Sequence, residues 1–534
     1  MKEELGKRDY YSVYEGQTFG QILDGLVRDV PDKEMISFNG ERMTYGQFYE
    51  KVTTLAMALK RLGIKKGDRV AALFPNCPDF FVVQQATLYI GAVFVLLSTR
   101  YREYELSYML KHSGARCLFT IDEYLKTSFT DIIEKVRPEL PNLEMCFVNG
   151  PKVPSWARPY QEALDLGKTI DENLLREDLP KYEDVASILY TSGSTGLPKG
   201  VVMTHRAFVF GAMQVTRRLR ITPDDVSLMV VPCSHTLCAF IQFPNALMGR
   251  CRIVMMETFN AADALKMYNT EKISLIYGVP TMFVLMLEHP DFAKTDFSSS
   301  RAGYTGGAII PEELMVNVRS KMNCKLVSVY GMSENGACSM NDVEDDESLK
   351  VGTVGRPLDG VDIIITDDKH EKLPVGEVGE VSIKGPNLFS GYYQQPEVTK
   401  AAFDQNGYFC SGDLGKYLDN GMLAIVGRKK EMIIRGGFNV YPAELEEQIG
   451  LIDGVQAVAV VGLPDKVMGE KIVACVIPSP GSTIVDKDII AYCKGRLANY
   501  KVPNVVIIMD EFPVTALGKV QKFKLIEALE ARGI

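Results

Sequence analysis

Two hydrophobic periods alternate along residues 44–120, and this alternation constrains the fold more than any other feature. Thr44 and Gln47 form a capping-box pattern, apolar residues then recur at helical spacing, and Gly63 ends the helix. The predicted elements that follow are a strand at 69–74, a helix at 79–90, a strand at 92–97, a helix at 103–112 and a strand at 116–120. Helices that alternate with buried strands predict an α/β fold with parallel sheets.

The rest of the chain divides by pattern. A strand is predicted at 273–277, and Thr281 is predicted to cap a helix that runs to Glu288. After about residue 350, glycine and short alternating segments indicate a β-rich subdomain. From Pro442 onward, helices and strands follow one another in a compact α+β pattern. A chain of 534 residues exceeds what one core usually supports, so we predict two domains, residues 1–428 and 429–534.

Charge and cysteine usage exclude several functions. The net charge of −9 is spread without a basic block, which argues against nucleic acid or an anionic membrane surface as a partner. The charged amino terminus and the absence of a CxxC pair among 11 cysteines favour a cytoplasmic protein. The uncharged run 226–249 contains Pro232 and Pro244, so it predicts a strand, a loop and a buried helix instead of a membrane span. Cys233, His235 and Cys238 lack a fourth metal ligand nearby.

One loop has the composition of a phosphate-binding segment. Four hydroxyl residues, three glycines and one lysine are found within ten positions, and apolar strands are predicted on both sides. The loop reads Thr191, Ser192, Gly193, Ser194, Thr195, Gly196, Leu197, Pro198, Lys199, Gly200. Glycine lets backbone N–H groups converge on an anion, and lysine adds a point charge. The spacing is not that of a Walker sequence, so a different ATP-binding scheme is needed.

Five further motifs follow in order. They are Gly306-Gly307-Ala308, Tyr330-Gly331-Met332-Ser333-Glu334, Tyr408-Phe409-Cys410-Ser411-Gly412-Asp413, Gly427-Arg428-Lys429-Lys430-Glu431 and Pro513-Val514-Thr515-Ala516-Leu517-Gly518-Lys519. Together with the loop they resemble the adenylate-forming superfamily, which includes acyl-CoA synthetases, the adenylation domains of peptide synthetases and beetle luciferases. The resemblance covers residues from about 20 to 530. It implies a large amino-terminal domain with several subdomains and a small, mobile α+β carboxyl-terminal domain.

The resemblance assigns roles in binding ATP. Thr191, Ser192, Gly193, Ser194, Thr195 and Lys199 would form the phosphate loop, and Ser333 would contact the α-phosphate. Glu334 and Thr191 would ligate Mg²⁺, a hard cation that suits oxygen ligands. Tyr330 would stack on adenine, with Gly307 and Ala308 close to the other face. Asp413 would accept the ribose hydroxyls, and Arg428 would add a second contact.

The resemblance also assigns the chemistry of two half-reactions. Lys519 would bridge the carboxylate and the α-phosphate as acyl-AMP forms, where negative charge concentrates in the transition state. Lys430 would be the hinge about which the small domain swings between the steps. Gly436 and Gly437 would leave room for the pantetheine thiol of coenzyme A.

His235 resembles the residue beside the acyl site, although the glycine often found three positions later is Cys238 in this chain. The segment after His235 has no aspartate for a substrate ammonium, and no cation lies between Asp225 and Arg250. An apolar monocarboxylate is therefore predicted: a medium-chain fatty, alicyclic or aromatic acid. The candidate pocket residues are Phe240, Tyr304, Thr305, Gly306 and Met332.

Several functions stay open at this point. The leading one is an acid:CoA ligase that uses ATP, Mg²⁺ and coenzyme A. The alternatives are transfer of the acyl group to a carrier-protein thiol, luciferase-like oxygenation, and nucleotide binding without catalysis. The acid and the oligomeric state, for which a homodimer is one option, are not fixed by the sequence.

Overall fold

The computed structural model of this protein describes residues 10–191, 198–306, 312–435, 438–465, 467–514 and 520–534. These residues form two compact units. The first contains the described residues up to Asp362 together with Lys384–Phe409, and the second contains Ile363–Ile383 together with the described residues of Cys410–Ile534. No helix in the described part of the chain has both the length and the apolar composition that crossing a membrane requires.

Two large sheets run through the first unit. In the described residues, one has nine strands and is parallel except at its edges. Its strands, in spatial order, are Arg356–Pro357, Ser339–Met340, Lys325–Tyr330, Ala302–Gly306, Leu275–Gly278, Val226–Met229, Arg252–Met255, Glu34–Phe38 and Glu41–Thr44. The other has eight, which are Gly391–Tyr392, Lys199–Thr204, Val185–Thr191, Val93–Leu97, Arg69–Leu73, Cys117–Ile121, Met145–Asn149 and Arg158–Pro159. Among these residues, the first two pairs of neighbouring strands are antiparallel and the other five pairs are parallel.

Helices connect and cover these strands. Those of the first unit are Phe19–Asp29, Tyr45–Arg61, Pro78–Tyr89, Glu103–Ser113, Phe129–Val136, Tyr160–Gly167, Glu172–Leu175, His205–Leu219, Phe243–Gly249, Ala261–Glu271, Pro280–Leu287, Glu312–Met322, Glu347–Lys350 and Pro396–Ala401. Short 3₁₀ segments lie at Tyr10–Tyr14, Arg137–Glu139 and Phe292–Lys294, a π-helix lies at Leu237–Gln242, and a small hairpin pairs Glu123–Tyr124 with Thr127–Ser128.

Local sequence signals explain where these helices begin and end. Thr44 caps the helix Tyr45–Arg61, Gln47 completes the capping box, and Gly63 has a φ of +78°. The predicted α/β alternation over residues 44–120 is confirmed to within a few residues at each element. The predicted cap at Thr281 is wrong. That helix begins at Pro280, two residues before the start that a cap at Thr281 would give, because proline has a suitable φ for the first helical position and needs no N–H partner there.

The second unit contains two smaller sheets. One has four strands among the described residues, which are Asp362–Thr366, Gly379–Lys384, Phe409–Tyr417 and Leu423–Arg428, with a 3₁₀ turn at Lys429–Glu431. The other has five described strands, which are Phe438–Val440, Ile433–Arg435, Gly469–Pro478, Val455–Asp465 and Val505–Ile508, with a 3₁₀ turn at Asn499–Lys501.

Helices cover both faces of the five-stranded sheet. Pro442–Gly450 and Asp486–Arg496 pack on one face through Leu445, Ile449, Ile489 and Cys493. Lys522–Ala531 packs on the other through Leu525 and Leu529. The predicted α/β fold with a separate α+β carboxyl-terminal region is therefore confirmed. The predicted boundary after residue 428 stays a prediction.

Candidate active site

The loop with the phosphate-binding composition joins two antiparallel strands of the first unit. The strand Val185–Thr191 pairs antiparallel with Lys199–Thr204, so Thr191 and Lys199 face each other where the two strands meet the loop. The prediction that the loop joins two strands is confirmed. Ser192, Gly193, Ser194 and Thr195 lie outside the described residues.

Two more predicted residues end neighbouring parallel strands of the nine-stranded sheet. Ala302–Gly306 pairs with Lys325–Tyr330, which places Gly306 beside Val329 and next to Tyr330. A β-carbon on Gly306 would lie 2.6 Å from the Val329 carbonyl oxygen, so this close approach requires glycine. Ligands of open α/β sheets bind at the carboxyl ends of parallel strands, where Tyr330 is found.

A tight turn carries the chain from Tyr330 to Glu334. The Met332 N–H donates to Asn335 Oδ1 at 2.9 Å, and the Gly336 N–H donates to the Met332 carbonyl at 2.7 Å. Gly331 has no room for a β-carbon because the Gly336 carbonyl occupies that space. Ser333 and Glu334 are half-buried in this turn.

Tyr392 contacts both Glu334 and Lys199. Its Oη donates to Glu334 Oε1 at 3.0 Å, and Lys199 Nζ lies 4.8 Å from the centre of its ring. Burial and the neighbouring Glu334 carboxylate raise the pKa of the Tyr392 phenol, so the hydroxyl stays protonated and donates at neutral pH. Sequence reasoning missed Tyr392. The glycine before it and the helix start at Pro396 were the available signals, since they mark a short edge strand followed by a turn.

His235 lies in the loop between the strand Val226–Met229 and the π-helix Leu237–Gln242. Its Nδ1 accepts a hydrogen bond from the Leu237 N–H at 3.2 Å, and its carbonyl accepts from Ala239. Burial lowers the pKa of His235 to about 4, so the imidazole is neutral at pH 7 and carries its proton on Nε2. The predicted strand, loop and buried helix over residues 226–249 are confirmed.

Asn76 supports the loop that contains His235, and sequence reasoning did not identify it. Its side chain donates to the carbonyls of Val231 and Met256, at 3.1 and 3.0 Å, and accepts from the Cys233 N–H. In the described residues, no group of three or more His, Cys, Asp or Glu side chains is arranged to hold a metal ion.

Two aromatic pocket candidates are fully buried. Tyr304 stacks on Tyr277 with ring centres 4.3 Å apart, and its hydroxyl has no hydrogen-bond partner among the described residues. Phe240 stacks face to face on Phe208 at 3.6 Å. Phe240 is therefore held by core packing, whereas Tyr304 carries a polar group that a bound molecule could satisfy.

In the second unit, Asp413 and Arg428 are cross-strand neighbours. Arg428 Nε lies 2.7 Å from Asp413 Oδ1, and Asp413 is almost fully buried. Glu380, which sequence reasoning missed, holds the adjoining turns: its Oε1 accepts from the Gly412 N–H at 3.0 Å, and its Oε2 accepts from Lys429 Nζ at 2.9 Å.

The predicted hinge residue, Lys430, is exposed in the 3₁₀ turn Lys429–Glu431. The next residue, Glu431, pairs with Lys522 at 3.0 Å, and Lys522 also contacts Glu446 at 2.8 Å. Burial opposes the charge of Lys522, but Glu446 and Glu431 outweigh it and raise the pKa of Lys522. Gly307, Ala308, Gly436, Gly437 and Lys519 lie outside the described residues.

Two models of known protein families match this chain. A model described as "AMP-binding enzyme" matches residues 24–393, and one described as "AMP-binding enzyme C-terminal domain" matches residues 444–519. This chain belongs to the AMP-binding enzyme family. The match covers both the hairpin with Lys199 and the turn with Glu334.

Individual relatives and solved structures show which kind of AMP-binding enzyme this chain resembles. It is 32% identical to the mitochondrial medium-chain acyl-CoA ligase ACSF2 of Rattus norvegicus, over 96% of this chain and 88% of that protein. It is 34% identical to a methyl-dioxo-octahydroindenyl-propanoyl:CoA ligase of Rhodococcus jostii, over 95% and 97%. The crystal structure of ATP-bound MatB from Rhodopseudomonas palustris superposes with a TM-score of 0.87 at 30% identity, covering 96% and 99%. The AMP-binding enzyme is thus an AMP-forming acyl-CoA synthetase of the adenylate-forming superfamily.

The donor set fits a magnesium ion bound together with a nucleotide. Glu334 offers a carboxylate, which has about four acceptor positions, and the Tyr392 phenol occupies one of them. Mg²⁺ is usually held by one or two carboxylates plus substrate phosphates and water. Glu334 would supply one such carboxylate, and substrate phosphates and water would supply the other ligands.

Proposed function

We propose that this acyl-CoA synthetase activates an apolar monocarboxylic acid, of medium-chain fatty, alicyclic or aromatic type. The observation that carries the proposal is the uncharged, buried segment that follows His235. No charged residue occurs between Asp225 and Arg250, and Cys238, Ala239 and Phe240 are fully buried. A substrate ammonium or second carboxylate placed there would lose its hydration without gaining a charged partner.

The names of the relatives support the same substrate class. One is a medium-chain acyl-CoA ligase, and the other acts on a propanoyl group attached to a methylated ring system. Both names describe a monocarboxylate with a large apolar portion.

The residues divide the first half-reaction among them. A carboxylate oxygen of the acid attacks the α-phosphorus of ATP, and the bond to pyrophosphate breaks. Thr191 and Lys199 hold the β- and γ-phosphates, and Tyr330 and Asp413 hold the adenosine. Lys519 neutralises the charge that grows between the carboxylate and the α-phosphate. Mg²⁺ bound at Glu334 and Thr191 would screen the charge of the phosphate oxygens.

In the second half-reaction, the thiol of coenzyme A attacks the acyl carbonyl and AMP leaves. His235 stands beside the acyl group as a neutral ring, and Gly436 and Gly437 provide room for the pantetheine chain. Lys430 is the proposed hinge for the movement between the two steps.

The alternative acceptor is a carrier-protein thiol. A cytoplasmic location and a homodimer stay predictions.

Exchange of labelled pyrophosphate into ATP tests the proposal. We expect exchange with octanoate, cyclohexanecarboxylate or benzoate, and none with phenylalanine or succinate. We expect AMP release to require coenzyme A. Exchange with phenylalanine or succinate alone would refute the proposed substrate class. AMP release that requires a carrier protein would refute coenzyme A as the acceptor.

Lys519→Ala separates the two half-reactions. We expect it to lose about 10²- to 10³-fold in pyrophosphate exchange, by analogy with the loss of one transition-state hydrogen-bond donor. The variant should still convert supplied acyl-AMP and coenzyme A to thioester. Equal loss of both steps would contradict the role given to Lys519.

A further inference from the structure

The side chain of Tyr392 lies between two residues that come from different sheets. Lys199 belongs to the eight-stranded sheet, whereas Glu334 follows the strand Lys325–Tyr330 of the nine-stranded sheet. The ring of Tyr392 contacts the ammonium of Lys199 at 4.8 Å, and its hydroxyl donates to Glu334 at 3.0 Å. One side chain therefore contacts both the phosphate-loop lysine and the carboxylate that would bind the cation.

Tyr392 is itself fixed by its backbone. It pairs with Val201 in the adjacent strand, and its N–H donates to Thr399 Oγ1 at 2.8 Å. The Thr399 hydroxyl donates in turn to the Gln395 carbonyl at 2.9 Å. These bonds hold the backbone of Tyr392 in place, and the contacts of its ring and hydroxyl start from that fixed position.

The turn that carries Glu334 is tied to the same strand segment. The Phe389 N–H donates to the Glu334 carbonyl at 2.8 Å, and the Phe389 and Tyr392 rings meet edge to face at 5.0 Å. Glu334 is thus held at its backbone by Phe389 and at its carboxylate by Tyr392. This double attachment limits the positions that the carboxylate can take.

The two contacts of Tyr392 have different physical effects. A phenol that donates to a carboxylate restricts the direction of the remaining acceptor positions of that carboxylate. Mg²⁺ requires its ligands in a nearly octahedral arrangement, so this restriction matters for its binding. An aromatic face attracts an ammonium and restricts where it lies. The first contact would therefore act on a cation held by Glu334, and the second on a triphosphate held by Lys199.

We propose that Tyr392 is a positioning residue that sets Lys199 and Glu334 for one metal–triphosphate complex. The inference rests on the proposed roles of Lys199 and Glu334 in holding ATP and its cation. Tyr392 acts through these two residues and takes no part in bond making.

Nucleotide binding by the full chain tests the proposal without measuring turnover. Titration calorimetry with ATP is done in Mn²⁺, as the probe cation, and in EDTA, for wild type, Tyr392→Phe and Tyr392→Leu. Tyr392→Phe keeps the ring and removes the hydroxyl. We expect it to weaken ATP binding in Mn²⁺ about 10-fold and to leave binding in EDTA unchanged. Tyr392→Leu should in addition weaken binding in EDTA, by about 2- to 5-fold, because the cation–π contact is lost.

Tyr393→Phe is the matched control: the ring of this neighbouring tyrosine contacts the ring of His112, and among the described residues no hydrogen bond or cation–π contact joins its side chain to Lys199 or Glu334. It should bind ATP as wild type does in both conditions. Binding of ATP in Mn²⁺ that is unchanged in Tyr392→Phe would overturn the proposal, and so would an equal loss in Mn²⁺ and in EDTA.

A double-mutant cycle with Glu334→Gln guards against a purely structural effect. If Tyr392 acts through the Glu334 carboxylate, Tyr392→Phe should have almost no further effect on binding in Mn²⁺ once Glu334 is glutamine. A full additional loss in that background would contradict the proposal. Failure of wild type to adenylate any acid would refute the proposed function alone, because the binding comparison does not depend on the acid.

Discussion

Arg428 Nε lies 2.7 Å from Asp413 Oδ1, across a pair of antiparallel strands in the second unit. Asp413 is only 4% exposed, while the Arg428 side chain is 42% exposed. The carboxylate is therefore presented from a rigid position, and its partner remains open to solvent. The ion pair therefore fixes the direction of the buried carboxylate within this pair of strands.

Asp413→Asn should weaken AMP binding about 10-fold. The amide keeps the shape of the side chain but has one acceptor oxygen in place of two, and hydrogen bonds to charged groups contribute about 1.5–3 kcal/mol. Titration calorimetry with AMP measures the effect. Asp419→Asn, at the exposed end of the same hairpin, is the control and should bind AMP like wild type. Unchanged AMP affinity in Asp413→Asn would remove this residue from the ribose site.

Gly331→Ala should lower both stability and adenylation. The added methyl would meet the Gly336 carbonyl, so the turn that carries Glu334 must shift, at a cost on the order of 1–3 kcal/mol. Gly211→Ala is the control, because its nearest neighbour would be Ile241 Cδ1 at an ordinary 3.5 Å and alanine favours the helix. We expect thermal unfolding midpoints below wild type for Gly331→Ala and at or above it for Gly211→Ala. The opposite order would show that the turn accommodates a side chain.

His205 makes stability depend on pH. Its ring is fully buried, and within the described residues neither ring nitrogen has a hydrogen-bond partner. Burial lowers the pKa of His205 from 6.5 to about 4. As the pH falls, the His205 imidazole is therefore protonated in the unfolded chain before it is protonated in the folded protein. The stability of the folded protein with a neutral His205 is fully present above pH 6.5 and is lost as the pH falls to about 4. At 1.36 kcal/mol per pKa unit, the loss is on the order of 3 kcal/mol.

His205→Phe should reduce this dependence. We expect the unfolding midpoints at about pH 4.5 and pH 7.5 to lie closer together in the variant than in wild type. His289→Gln, at a partly exposed histidine, is the control and should keep the wild-type difference. An unchanged difference in His205→Phe would mean that other groups carry the acid sensitivity.

His235 should not titrate during turnover. Because burial lowers its pKa to about 4, the ring is neutral throughout the range from about pH 6 to pH 9. The pH profile of kcat/KM for the acid should therefore have the same shape in wild type and in His235→Gln, even if the variant is slower. A ratio of the two that changes more than about 3-fold over this range would contradict a neutral His235.

Local patterns in the sequence determined much of what can be said of this protein. The capping box at Thr44, the glycine stop at Gly63 and the apolar runs between them fix helices and strands through short-range interactions, and the structure has them within a few residues. The two strands that flank the loop before Lys199 could be predicted for the same reason. The error at Thr281 is also local, since Pro280 begins that helix without a side-chain cap.

Only the tertiary structure decided which distant residues meet. Tyr392 follows Lys199 by almost 200 positions, and the short edge strand Gly391–Tyr392 brings its ring to Lys199 and its hydroxyl to Glu334. Glu380 reaches Gly412 and Lys429 in the same way. Strand pairing and side-chain packing between sheets set these contacts. Neither leaves a periodic trace in the sequence, because each depends on the order of strands in a sheet and not on the spacing of residues along the chain.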